Sequence, residues 1–476
     1  MDRRAFMKLG GLGALSVGTL GATEWTPPPK ADITLTIAPV TVEFTPNLVF
    51  STTGYNGTSP GPILRMREGV AQTVDVVNDT DVPEQVHWHG LLLPPELDGA
   101  EEEGTPPVPP HGRRRYQFTP KPAGTRWYHT HTMAMADLHR GSYTGQFGFL
   151  VIEGRNNPGA YDQEVFLALR EWEPYFTALM ADADALGPRW PMPERPDVPE
   201  ISANGLEVSA AFFSNNDKAL GAGEPIRVRA GQRVLFHLLN AGAIENRSLA
   251  LAGHQFHVVA LDGNPVPSPQ PVDHLVLGPG ERVDAYVEMN RPGVWIMGAI
   301  EDNVRNAGLG VVVEYAGQRQ PPQWLPMGRP VWDYTIFGAT QGGTALAPRA
   351  PADSIEMVFE KVARAHEDKF NGFLINGKAY PHDGEFVLRE GRRYRLTFRN
   401  RTNDAHPLHL HRHLFELVEI YGKPTVGIMK DTVVVPRWGR AVVEFVADQP
   451  GLTLFHCHIQ QHMDYGFKAL LKYAPA

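Results

Sequence analysis

Glu390-Gly391-Arg392-Arg393-Tyr394-Arg395-Leu396-Thr397-Phe398-Arg399-Asn400 is a turn, an alternating strand and the start of a second turn. Tyr394, Leu396 and Phe398 stand two residues apart, so on an extended chain they share one face. The same unit occurs twice more. Glu68-Gly69 leads through Val74, Val76 and Val77 to Asn78, and Ala230-Gly231 leads through Val234-Leu235-Phe236 to Asn240. The glycine-to-asparagine gap is nine in every copy, and the copies begin 162 and 160 residues apart. Asn-Gly pairs precede them at Asn56-Gly57, Asn204-Gly205 and Asn376-Gly377, each expected as a hairpin turn. Strands of this kind recurring at a long fixed period predict an all-β chain of three Greek-key β-sandwich domains.

Length and composition agree. A chain of 476 residues is too long for one core and fits three domains of about 150 residues. The 42 prolines and 47 glycines favour turns over helices, and no stretch holds a helical period. The expected division is a leader at 1–30, a first domain at 31–157, a second at 158–317, a linker at 318–352 and a third domain at 353–476. Residues 178–200, rich in proline toward their end, read as a loop insertion in the second domain. A net charge of -9 argues against a nucleic-acid partner, and a single cysteine rules out an intramolecular disulfide.

The leader carries Arg3-Arg4-Ala5-Phe6-Met7-Lys8 ahead of a mild apolar run, Leu9 to Ala22. That run is too short to span a membrane and reads as a signal h-region, so no stable membrane anchor is expected. The paired arginines resemble a twin-arginine export signal of bacteria. The resemblance implies export of a folded, metal-loaded chain by the Tat machinery to the periplasm or beyond. No clean Ala-x-Ala cleavage site is visible.

Beyond the asparagine the copies diverge. Nine residues past Asn78 is His87 and nine past Asn400 is His409, whereas nine past Asn240 is Leu249. Four His-x-His motifs result: His87-Trp88-His89, His129-Thr130-His131, His409-Leu410-His411 and His456-Cys457-His458. Two belong to the first domain and two to the third, which leaves the second as a copper-free spacer. On a strand, both imidazoles of such a pair face one way. Eight neutral nitrogen donors can hold three copper ions, two donors on one and three on each of the others. Cys457 faces oppositely to His456 and His458, so one peptide can touch two sites. A thiolate with imidazoles and a weak fourth ligand is a blue-copper donor set; the bland alternative is a small buried hydrophobe.

These motifs, their order and the three-domain repeat resemble the multicopper oxidases of the laccase type, over residues 33–476. The resemblance implies cupredoxin-like domains and four copper ions, one of type 1, one of type 2 and two of type 3. It implies His406, Cys457 and His462 at the type 1 copper, and His87 and His409 at type 2. His89, His129, His131, His411, His456 and His458 then hold the type 3 pair. One-electron oxidation of phenols or aromatic amines, entering at His462 and Cys457, would drive four-electron reduction of dioxygen to water. Phe467, ten residues past the cysteine, stands at the axial position; it cannot ligate copper and would raise the potential, or it simply packs the domain. Asp98 matches an acidic residue near the type 2 copper that helps deliver protons; the alternative is an exposed turn aspartate. Met463 stands where bacterial members often have a proton-transferring glutamate, with Asp464 next. The remaining nine histidines show no ligand spacing and read as structural or surface residues, with His413 a candidate support for a ligand.

The competing activity is oxidation of Cu(I) by an exported metal oxidase. Such enzymes usually carry a methionine-rich insertion in the last domain, where this chain has only Met357, Met429 and Met463. Met133 and Met135 beside His131 are expected to pack rather than to bind copper. A copper-free structural scaffold would lack several of these donors, and a two-domain copper nitrite reductase would lack the cluster motifs altogether.

Overall fold

Each glycine-to-asparagine segment becomes a central strand, because its apolar positions can be covered on both sides only in the middle of a sheet. The computed structural model describes residues 29–154, 159–178, 205–328, 330–339, 353–363, 370–381 and 386–474. Gln72–Asn78, Arg233–Asn240 and Arg393–Asn400 each pair in parallel with an upstream strand and antiparallel with a downstream one. Among the described residues the strands form six sheets, two within 33–153, two within 163–315 and two within 353–473. This is the all-β, three-sandwich architecture that the sequence predicts, with only short helices. The leader and most of the 178–200 insertion lie outside the described residues.

The repeated asparagine has a structural task in every copy. Its side-chain amide donates to a backbone carbonyl a few residues downstream and to another at a distant strand end. Asn78 reaches Val82 and Val108, Asn240 reaches Glu245 and Leu277, and Asn400 reaches Asp404 and Pro436. One buried carboxamide thus satisfies carbonyls that would otherwise be orphaned.

Two of the three expected hairpin turns fall on described residues, and the third, at Asn204-Gly205, begins outside them. Asn56-Gly57 and Asn376-Gly377 have positive φ at both residues, as a two-residue hairpin turn demands. In the middle copy that role falls to Asn216-Asp217, with φ of 48° and 62°. Asn204 is outside the described residues, and Gly205 instead donates its N–H to Asn371. Asn216 behaves as Asn56 and Asn376 do: its side chain accepts from one strand amide (Ala168) and donates to the carbonyl two residues earlier (Phe166). Aspartate tolerates left-handed backbone well enough to replace glycine there.

The middle and last thirds share one continuous apolar core, while the first third has its own. The stretch expected as a linker contributes to that shared core: Trp332, Tyr334 and Phe337 are buried, and Tyr334 donates its hydroxyl to Glu281. The first third meets this platform through small apolar clusters, Phe44 and Phe50 against Trp172 and Trp127 and Phe149 against Leu239 among them, and through polar contacts, including Arg412 to the Leu93 carbonyl and Leu454 N–H to Glu103.

His237 sits where the first and middle thirds meet. Its Nδ1 is 2.7 Å from Asp284, its Nε2 is 3.1 Å from Glu164, and Thr125 of the first third bonds the same aspartate. Arg65 pairs with Glu164 from the other side, and the imidazole stacks on Phe166. Burial alone would lower its pKa, but Asp284 and then Glu164 outweigh burial and raise it to about 9. The folded value exceeds the unfolded value of about 6.5, so this stabilisation is complete below pH 6.5 and is lost as pH rises through 9. The unfolding free energy should therefore fall by roughly 1–3 kcal/mol between pH 6.5 and 9.5 relative to His237→Gln. Parallel pH profiles for the two proteins, measured by urea unfolding, would remove His237 from the interface account.

Candidate metal centre

The strand Leu452–Cys457 pairs antiparallel with His406–Leu410, setting His409 opposite His456 and Leu408 opposite Cys457. Alternation then sends the sulfur to one side and the two histidines to the other. On the sulfur side, Cys457 Sγ lies 3.7 Å from His406 Nδ1 and 3.6 Å from His462 Nδ1, and these nitrogens are 3.2 Å apart. Three donor atoms thus form a nearly equilateral, fully buried triangle. The orientation of His406 is set by the repeat itself. Its Nε2–H donates to the Thr402 hydroxyl, and that hydroxyl donates to the Asn400 side chain, which leaves Nδ1 as a bare lone pair. Phe467 is buried, with its ring 4.8 Å from that of His406 and beside Phe359 and Phe373, so it walls the triangle while packing the core.

On the other side, all eight imidazoles converge between the first and last thirds. Each His-x-His pair begins at a strand end or bridge and keeps its two rings 4.8–6.2 Å apart, on one face. Extended residues two apart lie about 6.6 Å from one another, too far for both to reach one small ion. Each pair therefore divides between neighbouring groups. His87 and His409 approach through their Nε2 atoms at 3.4 Å. His89, His129 and His458 form a second group, and His131, His411 and His456 a third. His89 Nδ1, His129 Nε2 and His458 Nε2 are buried without a hydrogen-bond partner. Three orphaned lone pairs aimed at one point are costly unless a cation completes them.

Three carboxylates support the cluster. Asp98 is fully buried, not exposed on a turn, and its Oδ2 lies 2.8 Å from His411 Nδ1 and 3.2 Å from His87 Nδ1. Burial would raise its pKa, but His87 and then His411 outweigh that and lower it. Glu103, beside Asp98, is pushed well up by burial and by the charge of Asp98, so the two carboxyls share one proton. Asp431 accepts from His89 Nε2 at 3.0 Å, and its backbone carbonyl accepts from His409 Nδ1 at 2.8 Å. Glu103 and Asp431 escape a sequence reading, because neither has a motif spacing to any histidine. The middle third, expected as a spacer, also enters the site. Gly280 has φ +86°, and a Cβ there would stand 2.7 Å from the His458 ring.

Other side chains depart from expectation. Met133 and Met135 are 40% and 42% exposed, and the Met133 thioether accepts from Lys468 Nζ at 3.5 Å. Asp464 is raised to about 6 by burial and accepts the backbone N–H groups of Ala134 and Met135. His413 meets a ligand candidate only through its backbone, bonding the His411 carbonyl and the Tyr473 hydroxyl. Met463 lines a cavity of about 10 Å³ against His129, His131, His456 and His458. That is room for about one water.

Multicopper oxidase family models match residues 36–157, 125–315 and 350–476. The chain is 29% identical to multicopper oxidase MmcO of Mycobacterium tuberculosis over 92% of its length and 86% of the relative's. It is 25% identical to laccase-7 of Oryza sativa subsp. japonica, covering 86% of each. The crystal structure of a multi-copper oxidase from Pseudomonas thermotolerans superposes with a TM-score of 0.68 at 27% identity, over 94% of this chain and all of that one.

The donor set fits copper. Burial holds His406 and His458 near pKa 3 and His411 near 4, so their lone pairs stay free at neutral pH. Burial also pushes the Cys457 thiol up, so only a bound cation would ionise it. Folded values below the unfolded value of about 6.5 mean that stability is intact above pH 6.5 and is lost as pH falls toward 4. The thermal midpoint of copper-free protein should accordingly drop between pH 7 and pH 5. At pH 7 copper should raise it, each site adding about 4 kcal/mol at a thousandfold excess over its dissociation constant. A midpoint indifferent to copper in calorimetry would sink the metal reading.

Proposed function

The chain belongs to the multicopper oxidase family, oxidoreductases that use dioxygen, and on that premise we propose a laccase-like enzyme that oxidises phenols or aromatic amines one electron at a time. His406, Cys457 and His462 would hold a type 1 copper, His87 and His409 a type 2 copper, and the other six histidines a type 3 pair, four ions in all. Bound there, copper supplies one-electron redox chemistry at the thiolate and multi-electron reduction of dioxygen at the cluster. The observation that carries this reading is the division of one tripeptide between two donor sets, the Cys457 triangle and the eight-imidazole cluster.

The chain's own residues provide the route between them. An electron accepted at the Cys457 sulfur has a covalent path to His456 or His458 through one peptide unit. The 2.8 Å hydrogen bond from His456 Nδ1 to the Cys457 carbonyl adds a shortcut. Asp98 and Glu103 hold a shared proton against His87 and His411, the position from which reduced oxygen would be protonated. Phe467, beside the triangle of His406, Cys457 and His462, has no lone pair to add to it, which would suit a high-potential acceptor for phenols. Asp464 accepts from the loop at 134–135 and, with both oxygens, from Gln460 Nε2, and Gln460 lines the cavity beside His129, His131, His456 and His458, so Asp464 is linked to the cluster where Met463 offers no proton carrier.

Met133 and Met135, partly exposed and next to His131, favour a second reading in which Cu(I) is the reductant, with the Met133 sulfur held by Lys468. Oxygen uptake with a dimethoxyphenol and with Cu(I) separates the two. Phenol turnover without added copper is the expected result; turnover only with added copper, alongside fast Cu(I) oxidation, would transfer the assignment to a cuprous oxidase. We also propose export by the twin-arginine route to the periplasm or beyond, which rests on Arg3-Arg4. Among the described residues no helix is long and apolar enough to cross a membrane.

Two substitutions probe the mechanism. Asp98→Asn should slow oxygen reduction about 10²–10⁴-fold while reduction of the blue site by phenol stays fast. Equal slowing of both half-reactions in stopped-flow would end its proton role. Phe467→Met should lower the blue-site potential by tens of millivolts, roughly; an unchanged potential in redox titration would place the ring away from the metal.

A further inference from the structure

We infer that Arg282, contributed by the metal-free middle third, is a positioning residue of the oxygen-reducing cluster: through Asp431 it fixes which nitrogen of His89 faces the metal. The inference rests on the proposal that His89 is a copper ligand.

The geometry runs in one direction. The Arg282 guanidinium is fully buried and meets Asp431 with both ends of its fork, Nη1 to Oδ1 at 2.7 Å and Nη2 to Oδ2 at 2.6 Å. It cannot swing away. Its Nη1 also donates to the Gly280 carbonyl, its Nη2 to the Asp262 carbonyl and its Nε to the Thr125 carbonyl, so middle and first thirds grip it together. Asp262 further accepts the backbone N–H groups of Asp431 and Thr432. A carboxylate held in a bidentate guanidinium pair has only acceptor capacity left. His89 Nε2 lies 3.0 Å from Asp431 Oδ1 and 3.2 Å from the Thr432 hydroxyl, whose own proton goes to Asp431, so Nε2 must carry the proton and Nδ1 is left as a lone pair. That Nδ1 is buried and unpartnered, grouped with the orphaned Nε2 atoms of His129 and His458.

His89 is inverted relative to its neighbours. His87, His129, His409, His411 and His456 all anchor Nδ1, four on a backbone carbonyl and His411 on the Asp98 carboxylate, which leaves Nε2 for the metal. A backbone carbonyl needs no counter-ion, because it cannot ionise. A buried carboxylate does need one, and Arg282 is that counter-ion. The strand pattern places His89 where no carbonyl meets its outer nitrogen, so a side chain from the last third, held by a cation from the middle third, does that task. Removing the cation takes away both ends of the fork that fixes the carboxylate, which can then turn away from His89 Nε2 and free the other tautomer.

The test uses the copper-loaded full chain and the variants Arg282→Gln and Asp431→Asn. Asp431→Asn keeps the shape and guards against a folding failure of the first. Copper per chain, the thiolate-to-copper absorption band, the EPR spectrum and oxygen uptake with phenol are read for each. The thiolate band should be unchanged, since Arg282 touches none of Cys457, His406 and His462. Copper bound at the cluster should fall, or its coupled pair should become EPR-visible, with phenol turnover down about 10–100-fold. Arg282→Lys, which restores charge without the fork, should recover only part of that loss. Wild-type copper content, EPR and turnover in both variants, even with a lower thermal midpoint, would overturn the inference and leave Arg282 a purely structural cation. The ligand assignment is judged separately on unmodified protein: absence of a coupled copper pair there would overturn that reading.

Discussion

The alternation of side chains across one extended tripeptide is the constraint on which the site depends. Because residues 456 and 458 face away from residue 457, the Cys457 triangle and the imidazole cluster need only one peptide between them. The same spacing of about 6.6 Å that prevents a His-x-His pair from closing on one ion makes each pair a bridge between two. Four such pairs, two from each outer third, can build a cluster only if those thirds meet face to face. The first and last sandwiches are therefore held in register by the site as much as the site is held by them. The apolar clusters that join the first third to the rest lie on its seam with the middle third, which leaves its seam with the last third for the imidazoles.

Seating them has an electrostatic cost, and much of the surrounding chemistry offsets it. Neutral imidazoles tolerate burial, but each has a second nitrogen that must be satisfied. Most use a backbone carbonyl, which requires only that the strand end in the right place. Where none is available the chain uses a carboxylate, and each carboxylate requires compensation. Asp98 shares a proton with Glu103, and Asp431 has Arg282, with Arg126 and Lys430 nearby. Lys430 in turn pairs with Asp262 and Glu281. The buried charges thus radiate outward from two histidines, and the metal-free third supplies a large share of them.

Legibility in the sequence is confined to whatever is local. The glycine-to-asparagine unit, the His-x-His spacing and the lone cysteine are short-range patterns, and each appears in the structure at the position the pattern implies. The Asn216-Asp217 turn is hidden because the familiar Asn-Gly pair lies nearby at 204–205, while the left-handed conformation falls on residues that tolerate it less well. The exposure of Met133 and Met135 is hidden for a related reason: their apolar character signals burial, but it is Ala134 between them that packs, and the bonds of Ala134 and Met135 to Asp464 hold the two methionines on the outer side. Arg282, Asp431 and Glu103 have no local signal. Their partners lie 149, 342 and 308 residues away in sequence, and no period or propensity couples such positions. The repeat itself offers one clue. The empty copy keeps its central strand and asparagine clamp, so its retention calls for a reason other than binding metal.

Gly278, Gly280 and Arg282 supply that reason. This segment of the empty repeat runs along the last third so closely that a Cβ at Gly278 would meet Val434 and one at Gly280 would meet His458. The asparagine clamp fixes the same segment, since Asn240 donates to the Leu277 carbonyl at its start. In the last third the equivalent clamp, Asn400, orients His406 through Thr402. One repeated side chain therefore does two related tasks. In the metal-bearing copy it aims a ligand directly, and in the empty copy it aims the backbone that carries a ligand's counter-ion. The middle sandwich thus has a task without a His-x-His pair of its own, because it supplies the cation that meets Asp431 with both ends of its fork.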